Sequence, residues 1–127
     1  MPGKPLTAPF IAVVEDDQSL RPALVGLMRS LGYDGAGFES AEDFLAADAL
    51  ERADCLVTDL QLPGISGLDL AVRLGGERTR RLPVILVTAR TEKSIDERGE
   101  AAGLFCLLRK PFEADDLVSC IRRALDS

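Results

Sequence analysis

The sequence predicts a doubly wound α/β fold, in which a parallel sheet carries helices on both faces. Short, continuous apolar runs recur along the chain, and such runs are typical of strands that are buried on both faces. Segments with apolar residues at helical spacing lie between these runs. Because each strand pattern is followed by a helix pattern, the strands are expected to be joined by helical crossovers, which make them parallel.

In the first part of the chain, the sequence predicts a strand, a helix and a second strand, in that order. Phe10–Val14 is an entirely apolar strand. Apolar residues at helical spacing over 20–31 predict a helix, with Ser19 as its N-cap and Gly32 at its end. A short, weak strand is expected at Tyr33–Phe38.

The middle of the chain continues the alternation. Ser40 is expected to cap a second helix that runs to about Leu50, with Asp43 as its capping-box partner. The third strand, Cys55–Thr58, ends at Asp59. After a turn rich in Pro and Gly, a third helix is predicted from residue 68 to the glycine pair at 75–76.

The last part of the chain supplies two more strands and two more helices. Val84–Val87 and Leu104–Leu108 have the character of strands, and the polar segment Glu92–Ala102 between them predicts a poorly buried helix. The apolar spacing of Leu117, Cys120, Ile121 and Ala124 marks a final amphipathic helix. The chain therefore predicts five strands alternating with five helices.

Composition excludes several classes of function. The chain has 127 residues, one domain's worth, and its 15 basic against 21 acidic residues give a net charge of −6. Because nucleic acid binding relies on positive surface charge, we expect no direct nucleic acid contact from this negatively charged chain. No apolar run approaches the roughly 18 residues of a membrane span, so we expect no membrane partner. With no histidine in the chain, Ser/His/Asp catalysis and most zinc sites are excluded.

The cysteines and the N-terminus indicate a reduced compartment. The three cysteines are odd in number and lack CxxC spacing, so we interpret them as small core residues rather than a disulfide framework or a metal site. They are Cys55, Cys106 and Cys120. Residues 1–9 have no apolar stretch of signal-peptide length. We therefore expect a cytoplasmic protein.

Polar side chains follow four of the predicted strands. Glu15 and Asp16 come after the first strand, Asp59 after the third, Thr88 after the fourth and Lys110 after the fifth. The carboxyl ends of parallel strands share one edge of the sheet, where ligands of such folds bind. Each of the acidic residues alone is typical of a turn or an N-cap. Together they predict a crevice with three carboxylates, a hydroxyl and an amine.

The chemistry of this crevice favours a phosphoryl group. Closely spaced carboxylates repel one another unless a proton or a cation is present. Oxygen ligands without Cys or His select a hard ion, Mg²⁺ or Mn²⁺. Such an ion and Lys110 would share the charge on phosphoryl oxygens, Thr88 could donate a hydrogen bond, and one carboxylate could attack phosphorus. No histidine is needed in this chain if the phosphoryl donor brings its own.

Four segments resemble the receiver domain of two-component response regulators over residues 10–125. They are Val13–Asp17, Thr58–Gly67, Val87–Ala89 and Arg109–Phe112. The segment around Asp59 is most similar to FixJ-like receivers, which usually precede a LuxR-type DNA-binding domain. The resemblance implies a flavodoxin-like (CheY-like) fold with strand order 2-1-3-4-5, leaving residues 1–9 as an N-terminal extension.

The resemblance also implies a metal site and a phosphoacceptor. Asp59 is expected to accept the phosphoryl group. Glu15, Asp16 and Asp59, with the backbone carbonyl of Gln61, are expected to hold Mg²⁺ (or Mn²⁺). The family's spacing to the aromatic residue that ends the first helix, here Tyr33, selects Asp16 as the direct ligand and Glu15 as its partner. Asp17 is then left at the start of a loop, as a turn or N-cap residue.

Further roles follow from the same resemblance. Thr88, Ala89 and Lys110 are expected to bind the phosphoryl group and to take part in switching, and Gln61 and Arg90 to tune its hydrolysis. The bond between Lys110 and Pro111 corresponds to one that is typically cis.

One position departs from the family pattern. Receivers commonly carry Tyr or Phe three residues before the lysine, where this chain has Leu107. Phe105 is expected on the same sheet face as Leu107, one pleat earlier. The phosphorylation chemistry does not depend on this residue, but the usual aromatic part of the output switch is absent.

The resemblance implies a response regulator receiver that is phosphorylated by a sensor histidine kinase and serves transcriptional or signalling control. Such a protein is not an enzyme beyond catalysing its own phosphorylation and dephosphorylation. A homodimer through the surface of the fourth and fifth predicted helices is a further expectation. The main alternative is a pseudo-receiver, an interaction module without physiological phosphorylation.

Two other classes share parts of the pattern. A flavodoxin-like cofactor binder would need a Gly- or Thr-rich phosphate loop after the first strand, which this chain lacks. An aspartyl phosphatase or phosphotransferase would want a second carboxylate two residues after the nucleophile, where this chain has Gln61.

Overall fold

A five-stranded parallel sheet forms the centre of the molecule in the computed structural model, which describes residues 8–77 and 82–127. The strands lie in the order β2-β1-β3-β4-β5, and every neighbouring pair is parallel. Their bounds are β1 Phe10–Val14, β2 Asp34–Phe38, β3 Cys55–Asp59, β4 Val84–Thr88 and β5 Cys106–Arg109. The predicted fold class and strand order are confirmed.

Helices cover both faces of this sheet. Those of the described residues are α1 Leu20–Ser30, α2 Ala41–Ala46, α3 Ala49–Arg52, α4 Gly67–Glu77, α5 Lys93–Ala102 and α6 Ala114–Asp126. Buried residues of α1 and α6 share one apolar cluster with β1, β3 and β4. Residues of α2, α3 and α4 pack into a second cluster on the opposite face, and α4 and α5 enclose a third, smaller one.

Glycines in β2 let α1 lie close to the sheet. A Cβ atom on Gly37 would meet the side chains of Arg21 and Val25, and one on Gly35 would touch Val25 and Met28. Because neither strand residue has a side chain, α1 can pack against the edge strand. This close packing brings Arg21 towards the carboxyl end of β1.

The structure corrects two predicted helix boundaries. The second predicted helix is interrupted, because Ala47 adopts an extended conformation and α3 begins only at Ala49. No Gly or Pro lies at the interruption, and the one local sign of it is Asp48, a residue type that favours helix starts, at the N-cap position of α3. The third predicted helix does not stop at residues 75–76 but continues to Glu77. Gly75 is tolerated there because α4 is held by packing of Leu70, Ala71 and Leu74 in the core.

The caps of the first two helices differ from each other. The Ser40 hydroxyl accepts a hydrogen bond from the Asp43 N–H at 3.1 Å, which confirms it as the cap of α2. The Ser19 side chain makes no such bond. Asp17 replaces it, because its Oδ1 accepts from the backbone N–H groups of Ser19 at 2.7 Å and Leu20 at 2.9 Å. A carboxylate two residues earlier has thus taken over the expected capping role.

Replacing Ser40 with alanine is expected to destabilise the protein by about 1 kcal/mol, because an N–H at the start of α2 loses its acceptor. The matched change Ser19→Ala removes no capping bond and is expected to stay within about 0.5 kcal/mol of the parent. Urea unfolding of the two variants measures both values. Equal losses in the two variants would contradict this account of the caps.

Candidate functional site

Three carboxylates meet at the carboxyl edge of the sheet. Glu15 and Asp16 directly follow β1, and Asp59 is the last residue of the neighbouring strand β3. One carboxylate oxygen from each of the three lies within 4.8 Å of the others. The structure therefore brings together the three acidic side chains that the sequence places at these strand ends.

The three carboxylates differ in their exposure. Glu15 is 1% exposed and Asp59 is 8% exposed, whereas Asp16 is open to solvent. Burial raises the pKa of Glu15 above its ordinary value, and the nearby charge of Asp59 raises it further. A hydrogen bond from the Asp17 N–H and the charge of Lys110 oppose this rise. The site thus holds a buried carboxylate whose ionised form depends on nearby positive charge.

Lys110 supplies that positive charge from the end of β5. Its ammonium lies 3.1 Å from Glu15 Oε1 and 3.2 Å from Asp59 Oδ2, so it bridges the two buried carboxylates. Burial lowers the pKa of Lys110, but the negative charges of Asp59 and Glu15 outweigh that effect and leave the pKa above its ordinary value. The peptide bond from Lys110 to Pro111 is cis, as expected.

Asp17 is separate from the acidic cluster. Its carboxylate accepts the two backbone N–H bonds at the start of α1, which hold its pKa below the ordinary value. The side chain is therefore already occupied by a structural role, that of a turn and N-cap residue, as predicted.

The fourth strand places Thr88 beside the site. Thr88 is fully buried, and its hydroxyl accepts a hydrogen bond from the Arg90 N–H at 3.0 Å. The next two residues, Ala89 and Arg90, are exposed. The Arg90 guanidinium pairs with the Glu92 carboxylate, with its Nε 3.0 Å from Glu92 Oε2. One hydrogen bond thus links the Thr88 hydroxyl to the backbone of the segment that leads into α5.

The segment after Asp59 forms a loop that returns to its starting point. The Leu60 N–H donates to the Val87 carbonyl, and the Gly67 N–H donates to the Leu60 carbonyl, both at 2.9 Å. Gly67 lies directly against the Asp59 carbonyl, and a Cβ atom there would overlap it. Gln61, in the exposed part of this loop, is open to solvent.

Sequence reasoning missed two side chains that hold the loops around the site. The Arg21 guanidinium donates to the Glu15 carbonyl at 2.9 Å and to Gln18 Oε1 at 2.6 Å. The Glu42 carboxylate accepts from the Ile65 N–H at 3.0 Å. For Arg21, the one signal in the sequence is the pair of glycines in β2, which indicates that another part of the chain packs closely against this strand. For Glu42, the sequence contains no such signal.

The oxygen-only donor set fits a hard divalent cation. Three carboxylates within one ion's reach, with no sulfur or nitrogen ligand among them, match the ligands that Mg²⁺ and Mn²⁺ prefer. A divalent ion would also offset the repulsion between these carboxylates.

A family model for the response regulator receiver domain matches residues 11–122. The chain belongs to this family. Transcriptional regulatory protein TdiR of Thauera aromatica is 36% identical over 118 residues, which cover 93% of this chain and 52% of that protein. Nodulation protein W of Bradyrhizobium diazoefficiens is 33% identical over 120 residues, covering 94% and 52%. The chain spans about half the length of these curated relatives.

Solved receiver structures have the same fold. The FixJ-N structure is 28% identical with a TM-score of 0.82 and covers 95% of this chain and 96% of that one. The BeF₃-activated DrrB receiver domain is 27% identical with a TM-score of 0.84, covering 96% and 100%. Receiver domains are the phosphoacceptors of two-component systems and are phosphorylated by sensor histidine kinases. Their acidic Mg²⁺ site is matched by the cluster of Glu15, Asp16 and Asp59.

Among the described helices of this receiver, none combines the length and apolar character needed to cross a membrane.

The fifth strand differs from the expectation at Phe105. Leu107 lies in β5 and packs against the small cluster that contains Leu86 and Ile95. Phe105 packs on the opposite face of the sheet, with its ring 6.0 Å from the Arg123 guanidinium. The expected shared face is wrong, because β5 begins only at Cys106 and the strand alternation does not extend back to Phe105.

Replacing Gly67 with alanine is expected to destabilise this receiver by about 1–3 kcal/mol, because the new Cβ forces the end of β3 or the start of α4 to move. Gly75→Ala is the matched control in the same helix, since a Cβ there meets nothing within 4 Å. That variant is expected to gain about 0.5–1 kcal/mol from the better helix former. Urea unfolding measures both, and a neutral Gly67→Ala would refute the close approach.

Proposed function

We propose that Asp59 accepts a phosphoryl group from the phosphohistidine of a sensor histidine kinase in a Mg²⁺-dependent reaction. The observation that carries this proposal is the position of the Asp59 carboxylate, which is 3.2 Å from the Lys110 ammonium and clustered with Glu15 and Asp16. A nucleophile, a cation and ligands for a metal are thus in one place, at the edge where this fold binds ligands.

The proposed transfer replaces one bond to phosphorus with another. An Asp59 carboxylate oxygen bonds to phosphorus while the bond from phosphorus to the donor's imidazole nitrogen breaks, and that nitrogen keeps the electron pair. Lys110 then moves from an ion pair with Asp59 to one with a phosphoryl oxygen. The Thr88 hydroxyl and the Ala89 N–H donate to the remaining phosphoryl oxygens.

We assign the metal to Glu15, Asp16, Asp59 and the backbone carbonyl of Gln61. Mg²⁺ (or Mn²⁺) bound there would offset the negative charge that the carboxylates and the incoming phosphoryl group bring together. Asp16 is the better direct ligand than Asp17, because the Asp17 carboxylate already accepts two backbone N–H bonds.

Hydrolysis returns the protein to its starting state when water attacks phosphorus and the Asp59 carboxylate leaves. Gln61 and Arg90 are assigned to tune this step, since both are exposed and lie two residues beyond Asp59 and Thr88. The protein therefore catalyses its own phosphorylation and dephosphorylation and is no enzyme towards other substrates.

The proposed output is control of transcription within a longer regulator. The curated relatives include a protein named as a transcriptional regulator, and the chain spans about half of its length. We propose residues 10–125 as the receiver and 1–9 as its extension, of which 1–7 lie outside the described residues. Because this chain is acidic, DNA contact is assigned to another part of such a regulator and not to this chain.

Dimerisation and location complete the proposal. We assign homodimer formation to the surface of α5 and α6, the fourth and fifth helices predicted from the sequence. A cytoplasmic location is supported by the three cysteines, which are free thiols. Burial raises the pKa of Cys55 to about 12, which fits an inert core residue.

Treatment of the 127-residue chain with acetyl phosphate and Mg²⁺ is expected to raise its mass by one phosphate, and peptide mapping is expected to place that phosphate on Asp59. Labelling is expected to stop in Asp59→Asn and on removal of Mg²⁺ with EDTA. The pseudo-receiver alternative predicts no labelling of the wild type. Equal labelling of Asp59→Asn and the wild type would refute the assignment.

The same assay includes controls for the assigned ligands. Asp16→Asn is expected to need more Mg²⁺ for half-maximal labelling than Asp17→Asn does. If Asp17→Asn is the more damaging change, the ligand register is off by one residue. Decay of the labelled protein is expected to change when Gln61 and Arg90 are replaced by alanine, and an unchanged decay rate would remove their assigned role.

Thr88, rather than Leu107, is expected to transmit the phosphorylation signal to α5. Thr88→Ala is expected to keep Asp59 labelled but to remove the change in hydrogen exchange that BeF₃⁻ causes across residues 89–105. Leu107→Ala is expected to retain both labelling and that change, because a leucine has no ring or hydroxyl that distinguishes two positions. The opposite pattern would make Leu107 the switch.

A further inference from the structure

The loop that follows Asp59 has few polar anchors. Its base is closed by the bond from the Gly67 N–H to the Leu60 carbonyl. Leu62 and Ile65 are half-buried against the core, which sets the general position of the loop. Within the described part of the chain, the bond from the Ile65 N–H to Glu42 is the one hydrogen bond that any residue of 61–65 makes.

Glu42 reaches this loop from a different part of the chain. It lies in the first turn of α2, 23 residues before Ile65, and its Oε2 accepts the Ile65 N–H at 3.0 Å. Gly64 has a φ of +79° and lies directly against the carboxylate, so a Cβ atom there would overlap it. The Ile65 bond holds the pKa of Glu42 below its ordinary value, so the carboxylate is ionised at neutral pH.

We propose that Glu42 is a positioning residue for the metal site: it fixes the backbone of the loop so that the Gln61 carbonyl is held ready as a ligand. This inference rests on the proposed function, which assigns that carbonyl to the metal. Apolar packing of Leu62 and Ile65 holds the loop against the core but does not determine how its peptide groups are rotated. A directional hydrogen bond at the far side of the loop does, because rotation of the Ile65 peptide would break it.

Two physical effects of Glu42 have to be separated. The first is the hydrogen bond to Ile65, which needs an acceptor oxygen at that place. The second is a general negative charge, which would attract a divalent cation from any nearby surface position. Glu42→Gln keeps an acceptor oxygen and removes the charge, whereas Glu42→Ala removes both. Asp43→Asn is the matched control, since it removes one exposed acidic charge next to Glu42 and leaves the Ile65 bond intact.

The experiment measures Mg²⁺ affinity by following the amide signals of each variant of the 127-residue chain in a titration with MgCl₂. Glu42→Ala is expected to weaken Mg²⁺ binding about three- to tenfold, the loss that one hydrogen bond corresponds to. Glu42→Gln and Asp43→Asn are expected to stay within about twofold of the wild type. At saturating Mg²⁺, Glu42→Ala is expected to be labelled by acetyl phosphate within about twofold of the wild-type rate, because the nucleophile itself is unchanged.

Four results would overturn the inference. An unchanged Mg²⁺ affinity in Glu42→Ala removes the positioning role, and a Glu42→Gln as weak as Glu42→Ala makes charge, not the hydrogen bond, the cause. Labelling of Glu42→Ala that saturating Mg²⁺ does not restore shows a general structural defect. A wild type that binds no Mg²⁺ refutes both proposals, whereas one that binds Mg²⁺ but is not labelled refutes the phosphoacceptor alone and leaves the affinity ratios to decide on Glu42.

Discussion

The site depends on one constraint: two buried carboxylates at the same edge of the sheet need positive charge nearby. Glu15 and Asp59 repel each other, and burial makes that repulsion stronger than it would be in water. The Lys110 ammonium lies just over 3 Å from both and balances part of their charge. One positive charge among three acidic side chains still leaves the cluster with excess negative charge. The folded protein is therefore prepared for a divalent cation, and it tolerates the site because the cluster is small and open on the side of Asp16.

The remainder of the fold brings these charges together from distant parts of the sequence. Lys110 is 95 residues from Glu15 and 51 from Asp59, and the parallel direction of β1, β3, β4 and β5 places all three residues at one edge of the sheet. The loops that carry the charges need support of their own. Gly67 lets the start of α4 lie against the end of β3, and Arg21 holds the segment after β1 through the Glu15 carbonyl. Rigid strands set the distances, and side chains from neighbouring helices fix the loops.

Most of this arrangement could be predicted from the sequence because it depends on simple patterns. Apolar runs define four of the five strands, β1, β3, β4 and β5, and the polar residues at the ends of these strands define the site. What could not be predicted depends on contacts between distant residues. The bond from Glu42 to Ile65 joins residues that are 23 apart and has no local signature, and the interruption between α2 and α3 is marked by neither Gly nor Pro. The expected face of Phe105 is wrong because β5 begins only at Cys106, so strand alternation does not continue back to Phe105.

If Asp59 is phosphorylated as proposed, the leucine at position 107 bears on how the signal could leave the site. Leu107 fills the space between β5 and α5 together with Leu86 and Ile95 and has no polar group to report a change. The Thr88 hydroxyl has such a connection, because it holds the Arg90 N–H just before α5 begins at Lys93. If this hydroxyl turns towards a phosphoryl oxygen, the Arg90 bond must change with it. Within α5, only Ile95 and Gly99 are buried, so little apolar packing resists the resulting movement. The backbone that follows β4 therefore offers a route from Asp59 to α5 that does not need an aromatic ring.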